Sequence, residues 1–259
     1  MFAATRSVTV FAAGSTKIAS VLEAALWGLL TAGSLLLGAA IALVARPGHR
    51  AIGLTIAFGS GALFAAVAYE LVLEAFETNL RSAAFGFVAG ALAFYVGDWF
   101  IDRRGGHGRK AMRGEHQLAG AANAIVLGTV LDGIPESFVL GASLQTEGVV
   151  PIAVVVGVFV SNVPESLSAT SGLREAGWTS GRLFAMWSAV VAASVLAAAS
   201  GWWALDAMPG ADGSFALAFA AGALLVMLAD TLMPEAFELG GREAGLLTAL
   251  GFALGFALS

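Results

Sequence analysis

Three carboxylates of this chain stand where a carboxylate is hardest to keep. Asp132, Glu136 and Glu165 fall in the middle of long apolar stretches. Glu70, Glu74, Asp98, Asp230 and Glu235 fall inside others or in their last turns, and no Lys or Arg is buried with them. An ionised acid near the centre of a bilayer costs at least ~2.5–3.5 kcal/mol on insertion scales, so the pattern demands protonation, water or a bound cation. Spacing adds to the case. Asp132 and Glu136 are four residues apart, as are Ser161 and Glu165, which sets each pair on one face of a helix. Pro135 and Pro164, each one position before its Glu, lack the N–H that would bond the carbonyls of Leu131 and Val160. Each helix is thus expected to offer a carboxylate beside a carbonyl acceptor. With the hydroxyl of Ser161 and the amide of Asn162, these oxygens make a cation-binding donor set. Either proline alone would read as an ordinary transmembrane kink; its recurrence in DGIPES (132–137) and SNVPES (161–166) is what favours a site.

Other chemistries lack their residues. The chain has no cysteine, which removes disulfides, thiolate metal sites and cysteine nucleophiles. Its histidines, His49, His107 and His116, fall in expected loops, so an intramembrane protease has neither a buried Ser–His pair nor an HExxH motif. The nearest string to a paired-Asp protease motif, YVGDW at 95–99, lacks its first Gly. We therefore read no enzyme. A net charge of -5 argues against a nucleic-acid partner.

The elements that must hold these acids follow from composition. Of 259 residues, 58% are apolar and 12% charged, and mean hydropathy is +0.85. Eight apolar segments, about 18–44, 51–76, 83–101, 118–144, 150–173, 183–205, 215–237 and 245–259, are long enough to cross a bilayer as helices. They are continuous and rich in Ala, Leu and Gly rather than alternating, which excludes a β-barrel. The expected fold is an all-α, single-domain bundle of eight transmembrane helices. Residues 1–17 read as a short tail. Ten of the thirteen basic residues fall in that tail's opposite set of loops, after spans one, three, five and seven. The positive-inside rule makes that side cytoplasmic, with both termini outside and loop 102–117 inside.

The sequence also repeats itself. Residues 57–77 and 218–238 align without gaps, agree at eleven of twenty-one positions and both end in EAFE; GFVAG at 86–90 is paired with GFALG at 251–255. Spans two and three thus pair with seven and eight, and four with five. The odd number of crossings between copies inverts them, an architecture of many transporters whose substrate sites lie near the midplane. The glycine motifs also permit close helix approach and a homodimer in the bilayer.

Eight spans, outward termini, a basic loop after span three and consecutive helices bearing Pro-Glu motifs resemble the ZIP (Zrt-, Irt-like) divalent metal transporters. TLMPEAF at 231–237 is similar to that family's span-seven ending, and ELVLEAF at 70–76 to the analogous part of span two. Asp132 stands where the family's span four carries His, Gly133 where it carries Asn, and Ser137 and Ser166 follow the Glu residues. The resemblance implies Asp132, Glu136 and Glu165 as primary metal ligands, with Ser161 and Asn162 contributing to a second metal. Glu70, Glu74, Asp230 and Glu235 would line the pathway, and Pro234 would free the carbonyl of Asp230. An all-oxygen site suits manganese or Fe(II), whereas the resemblance implies zinc; Cd is a further expected substrate. The metal is cargo and no cofactor is expected. The alternative from the same residues is a proton-coupled transporter of another cation or a small solute; a non-transporting membrane protein is a further one.

Overall fold

The computed structural model describes residues 2–101, 103, 119–208 and 210–259. Apart from Arg103, loop 102–117, with His107, His116 and its other basic residues, therefore lies outside the described residues. Among these the chain is helical and has no strand. Where water is absent, a helix satisfies every backbone donor and acceptor within its own segment, and the Ala- and Leu-rich stretches adopt it throughout. Seven helices are long and apolar enough to cross a membrane. Large apolar side chains such as Leu26, Phe85, Leu92, Leu196, Leu250 and Phe256 lie exposed along them, as a hydrocarbon solvent allows and water does not. The chain is a multi-pass membrane protein.

Helix α1 spans Phe2–Val44, so it begins inside the expected tail, where no Pro interrupts residues 2–17. Helix α2 (His49–Ala66) passes through a π-helical segment, Val67–Val72, into α3 (Leu73–Thr78). After a turn at Asn79 come α4 (Leu80–Ile101), α5 (Ala119–Glu147), α6 (Ile152–Glu175) and α7 (Ser180–Asp206). Helix α8 (Ser214–Met227) passes through a second π-helical segment, Leu228–Leu232, into α9 (Met233–Gly240). Gly241 then takes φ 70°, a left-handed value suited to a residue without Cβ, and α10 (Ala244–Leu258) leads away.

Side-by-side contacts fix the directions. Asn162 meets Thr31 and Arg174 meets Leu43, so α6 runs parallel to α1. Lys17 meets Asp206, and Gly28 meets Ala198, so α7 runs against α1. Gly59 lies on Ser161 and Gly157 on Leu63, which opposes α2 to α6; α5 is parallel to α7 through Gly133–Ser194 and Gly141–Ala198. Helix α4 is parallel to α8, and α10 to α2. Successive long helices therefore alternate in direction, and α10 returns against α8 and α9.

The two segments that repeat in sequence also pack alike. Gly61 abuts Thr248 and Phe252, and Gly222, 161 residues later, abuts Phe87 and Ala91. The π segments begin at Val67 and Leu228, the same interval apart. Gly251 abuts Phe58 as Gly90 abuts Phe219, so these contacts pair Gly90 with Gly251 and not with Gly255. The expected pairing of GFVAG with GFALG is thus displaced by one helical turn, because a Gly every fourth residue reads the same in either register.

Candidate functional site

Asp132 and Glu136 occupy the face of α5 opposite the exposed Leu127 and Ile134, and each is 1% exposed. Glu165 is 2% exposed on α6. Among the described residues no Lys or Arg is buried with them. Both α5 and α6 stay helical through Pro135 and Pro164.

On α6 the motif spreads its polar groups around the helix. Ser161 rests against Gly59 of α2, and its hydroxyl donates to the carbonyl of Val158. Asn162 turns toward α1, where Nδ2 donates to the Thr31 carbonyl at 3.2 Å, leaving Oδ1 as an acceptor. Ser166 donates to the carbonyls of Asn162 and Val163, beside Gly38 of α1. Glu165 shares a face with Ser161 and with Ser168, whose hydroxyl donates to Oε1 of Glu235 on α9. Thus α6 carries one buried carboxylate and meets a second, on α9.

The expected convergence of the two Pro-Glu helices on each other is only partly met. Helix α6 packs chiefly on α1 and α2, and α5 chiefly on α7, with little direct contact between α5 and α6. The carbonyl of Val160, which Pro164 cannot serve, lies against Gly59 of α2. Leu131 and Pro135 instead line an apolar cavity of about 270 Å³ with Ala93 and Phe94 of α4 and Phe219 of α8. The two Pro-Glu motifs therefore belong to different neighbourhoods. Among the described residues no three His, Asp or Glu side chains gather closely enough to hold a metal ion. The donors are carboxylates in ones and twos, with hydroxyls and an amide on the same helices.

The pathway candidates divide. Glu235 is buried, Glu70 and Asp98 are half-buried, and Glu74 and Asp230 are exposed. Glu70 and Glu74 lie near Glu147 at the end of α5, an acid the sequence did not single out. Asp206 and Asp212 stand at the same end of the bundle, where Lys17 and Asn79 bind them. Arg46, Arg50, His49 and Arg174 lie together at the opposite end, so charge is polarised along the molecule.

Sequence reasoning missed Ser168, and also Ser60 on α2 and Thr231 on the second π segment. Ser60 and Thr231 are buried, and their hydroxyls have no hydrogen-bond partner among the described residues. The only available signal was a lone hydroxyl in an apolar run, which transmembrane helices commonly carry as a bond to their own backbone, as Thr129 does to Ile125.

No protein-family model matches the chain, and no curated protein matches it. Its function must therefore be argued from its own residues.

Proposed function

We propose that the chain moves divalent transition-metal cations, zinc, manganese or iron, across the membrane into the cytoplasm. It does so as an eight-span inverted repeat similar to ZIP transporters. The observation that carries this reading is the near-complete burial of three carboxylates, Asp132, Glu136 and Glu165, in helices of membrane type. Oxygen donors from α6, Ser161 on the face of Glu165 and Oδ1 of Asn162 toward α1, suit a hard or borderline divalent cation. The acidic end, with Glu70, Glu74, Glu147, Asp206 and Asp212, would concentrate cations electrostatically.

Support for the repeat comes from its register. Contacts of Gly61 and Gly222, of Gly90 and Gly251, and both π segments recur at one interval of 161 residues. Such repeats underlie alternating access, in which the two halves exchange conformations around a fixed site. On this reading a hydrated cation sheds water onto Asp132, Glu136 and Glu165 and leaves when the repeat elements rock about α5 and α6. Arg46, Arg50, Arg174 and Arg242 would mark the cytoplasmic side, with the termini outside.

A second reading, proton-coupled transport of another solute, is favoured by one observation: no three acids assemble into a metal-holding group among the described residues. Isolated buried acids bonded to hydroxyls, as Glu235 is to Ser168, suit a proton as well as a metal.

The test is uptake of Zn, Mn, Fe(II) and Cd into proteoliposomes by wild type and by the double variant Glu136→Ala, Glu165→Ala, with internal pH followed throughout. Metal uptake that vanishes in the variant supports the metal reading. Proton movement without metal uptake favours the second reading. Equal metal uptake by both proteins sinks the proposed site.

A further inference from the structure

At the corner between α1 and α2 lies a cavity of about 470 Å³ that the transport reading does not use. It is lined by Ala42 and Arg46 from the end of α1, Pro47 and Gly48 of the turn, His49 at the start of α2, and Ser171, Arg174 and Glu175 from the end of α6. Its lining is rich in basic groups. Two guanidinium groups face it, against one carboxylate, in a chain whose net charge is -5.

The donors in it are not all spent. Arg174 donates from Nη1 to the Leu43 carbonyl at 3.1 Å, which covers an end group of α1 and pins the arginine at the wall, with four further N–H donors left. Arg50, just outside, is engaged with Glu243 at 2.7 Å. Arg46 forms no ion pair or hydrogen bond among the described residues and takes φ 45°, a left-handed value that a side chain rarely adopts. The amides of His49 and Arg50 precede Ala51, the first amide of α2 to bond back, to Gly48. The N-cap, Gly48, has no side chain with which to cover them. Imidazole, guanidinium and backbone N–H donors thus border one space, the Ser171 hydroxyl being spent on the Leu167 carbonyl, and forked guanidinium donors match the geometry of phosphate oxygens.

We propose that this corner cavity binds a phosphate-class oxyanion, presented either by an anionic lipid headgroup or as free phosphate. Arg46 is its principal ligand, and Arg174 and the first amides of α2 are secondary ones. Glu175 restricts the site to ligands that reach the Arg46 side. The site is independent of any transported metal.

The full chain in detergent is titrated with phosphatidylglycerol, counted by native mass spectrometry, and separately with inorganic phosphate, read as a rise in unfolding temperature. Phosphatidylcholine is the lipid control. Arg46→Gly removes the ligand while suiting the left-handed backbone, so the fold is kept. The affinity of the true ligand should fall about tenfold or more, the worth of a charge-assisted hydrogen bond. Arg46→Lys, which keeps charge but loses the fork, should also bind more weakly than wild type. Loss of phosphatidylglycerol binding alone assigns a lipid headgroup, and loss of the phosphate response assigns a free anion. Binding of neither probe, preference for phosphatidylcholine, or affinities unchanged in both variants would overturn the site.

Discussion

Residues 49–101 and 214–258 are built alike up to one carboxylate. In each, a long helix meets the other segment through a close-packed glycine, Gly61 or Gly222, then passes through a π turn and ends in Glu-Ala-Phe-Glu. Yet Glu74 is exposed and its counterpart Glu235 is buried, hydrogen bonded to Ser168. The neighbours explain the difference. Offsetting SNVPES onto DGIPES places Ser168 of α6 opposite Val139 of α5, a fully buried apolar residue. At the position corresponding to Ser168, α5 thus offers no hydroxyl, and burying an acid without a hydrogen-bond partner costs several kcal/mol. Two near-identical local sequences thus receive opposite environments from the helix packed behind them.

The strongest way to break the likeness is at the glycines. A Cβ added to Gly61 would run into the Thr248 backbone and one added to Gly222 into that of Phe87, and backbone cannot swing aside as a side chain does. Gly61→Val and Gly222→Val should each destabilise by about 1–3 kcal/mol or more, read as unfolding temperature in detergent. Gly33, with nothing within 4 Å of an added Cβ, should accept Ala without loss. Equal losses at 61 and 222 would support the repeat, and a loss at only one would show that the shared register is not shared energetically.

The carboxylates themselves sharpen the contrast. Glu235→Ala should cost about 1–3 kcal/mol by stranding Ser168 in the interior, and Glu235→Gln, which still accepts its hydrogen bond, much less. Glu74→Ala should stay within about 0.5 kcal/mol, as exposed changes do. If buried acids carry the cargo, uptake should fall in Glu235→Ala and persist in Glu74→Ala. The reverse order would place the working path along the first segment.

Much of this was legible in the chain, and what was not has physical causes. The long apolar helices, the repeat of EAFE and the burial of Asp132, Glu136 and Glu165 follow from apolar runs interrupted by acids, a signal carried within one segment. The π segments left no trace, because widening a hydrogen-bonded turn asks for no particular residue. Glu235 could not be told from Glu74, since the deciding residue, Ser168 or Val139, stands on another helix. Pro164 marks a carbonyl that its own ring cannot serve, but the neighbour of that carbonyl, Gly59, belongs to a segment some 100 positions away.

Beyond the helices, the two segments are tied at opposite ends by unlike devices. At one end Asn79, in the turn before α4, donates to Asp212 at 2.9 Å, and Asp212 accepts from the Ser214 amide at the start of α8. The Asn79 side chain first, and then Ser214, hold the Asp212 carboxyl below the usual carboxylate range. A depressed folded value means stability that is present above the unfolded value, ~3.9 for Asp, and is lost as pH falls through the folded one. Unfolding temperatures of wild type and Asn79→Ala should therefore differ at neutral pH and converge in the acid range below the ordinary Asp value. A gap that persists unchanged at the lowest pH would show that Asn79 acts through packing alone.

At the other end Arg50, in the first turn of α2, reaches Glu243 in the turn before α10 at 2.7 Å. Here the tie is an ion pair between two long side chains that both remain more than half exposed. Holding them together costs rotamer freedom, and water and salt screen the attraction, so a double-mutant cycle on Arg50 and Glu243 should return only about 0.2–1 kcal/mol. That coupling should shrink further between low salt and 1 M, where the screening length falls to ~3 Å. The Asn79–Asp212 tie has only one charged member and is anchored to a helix-starting amide, so the same change should move it less. Should the Arg50–Glu243 coupling prove larger and resist salt, this corner must be shielded from water more fully than its exposed side chains indicate. The basic end would then rank with the glycine contacts among the features that hold the two segments in register.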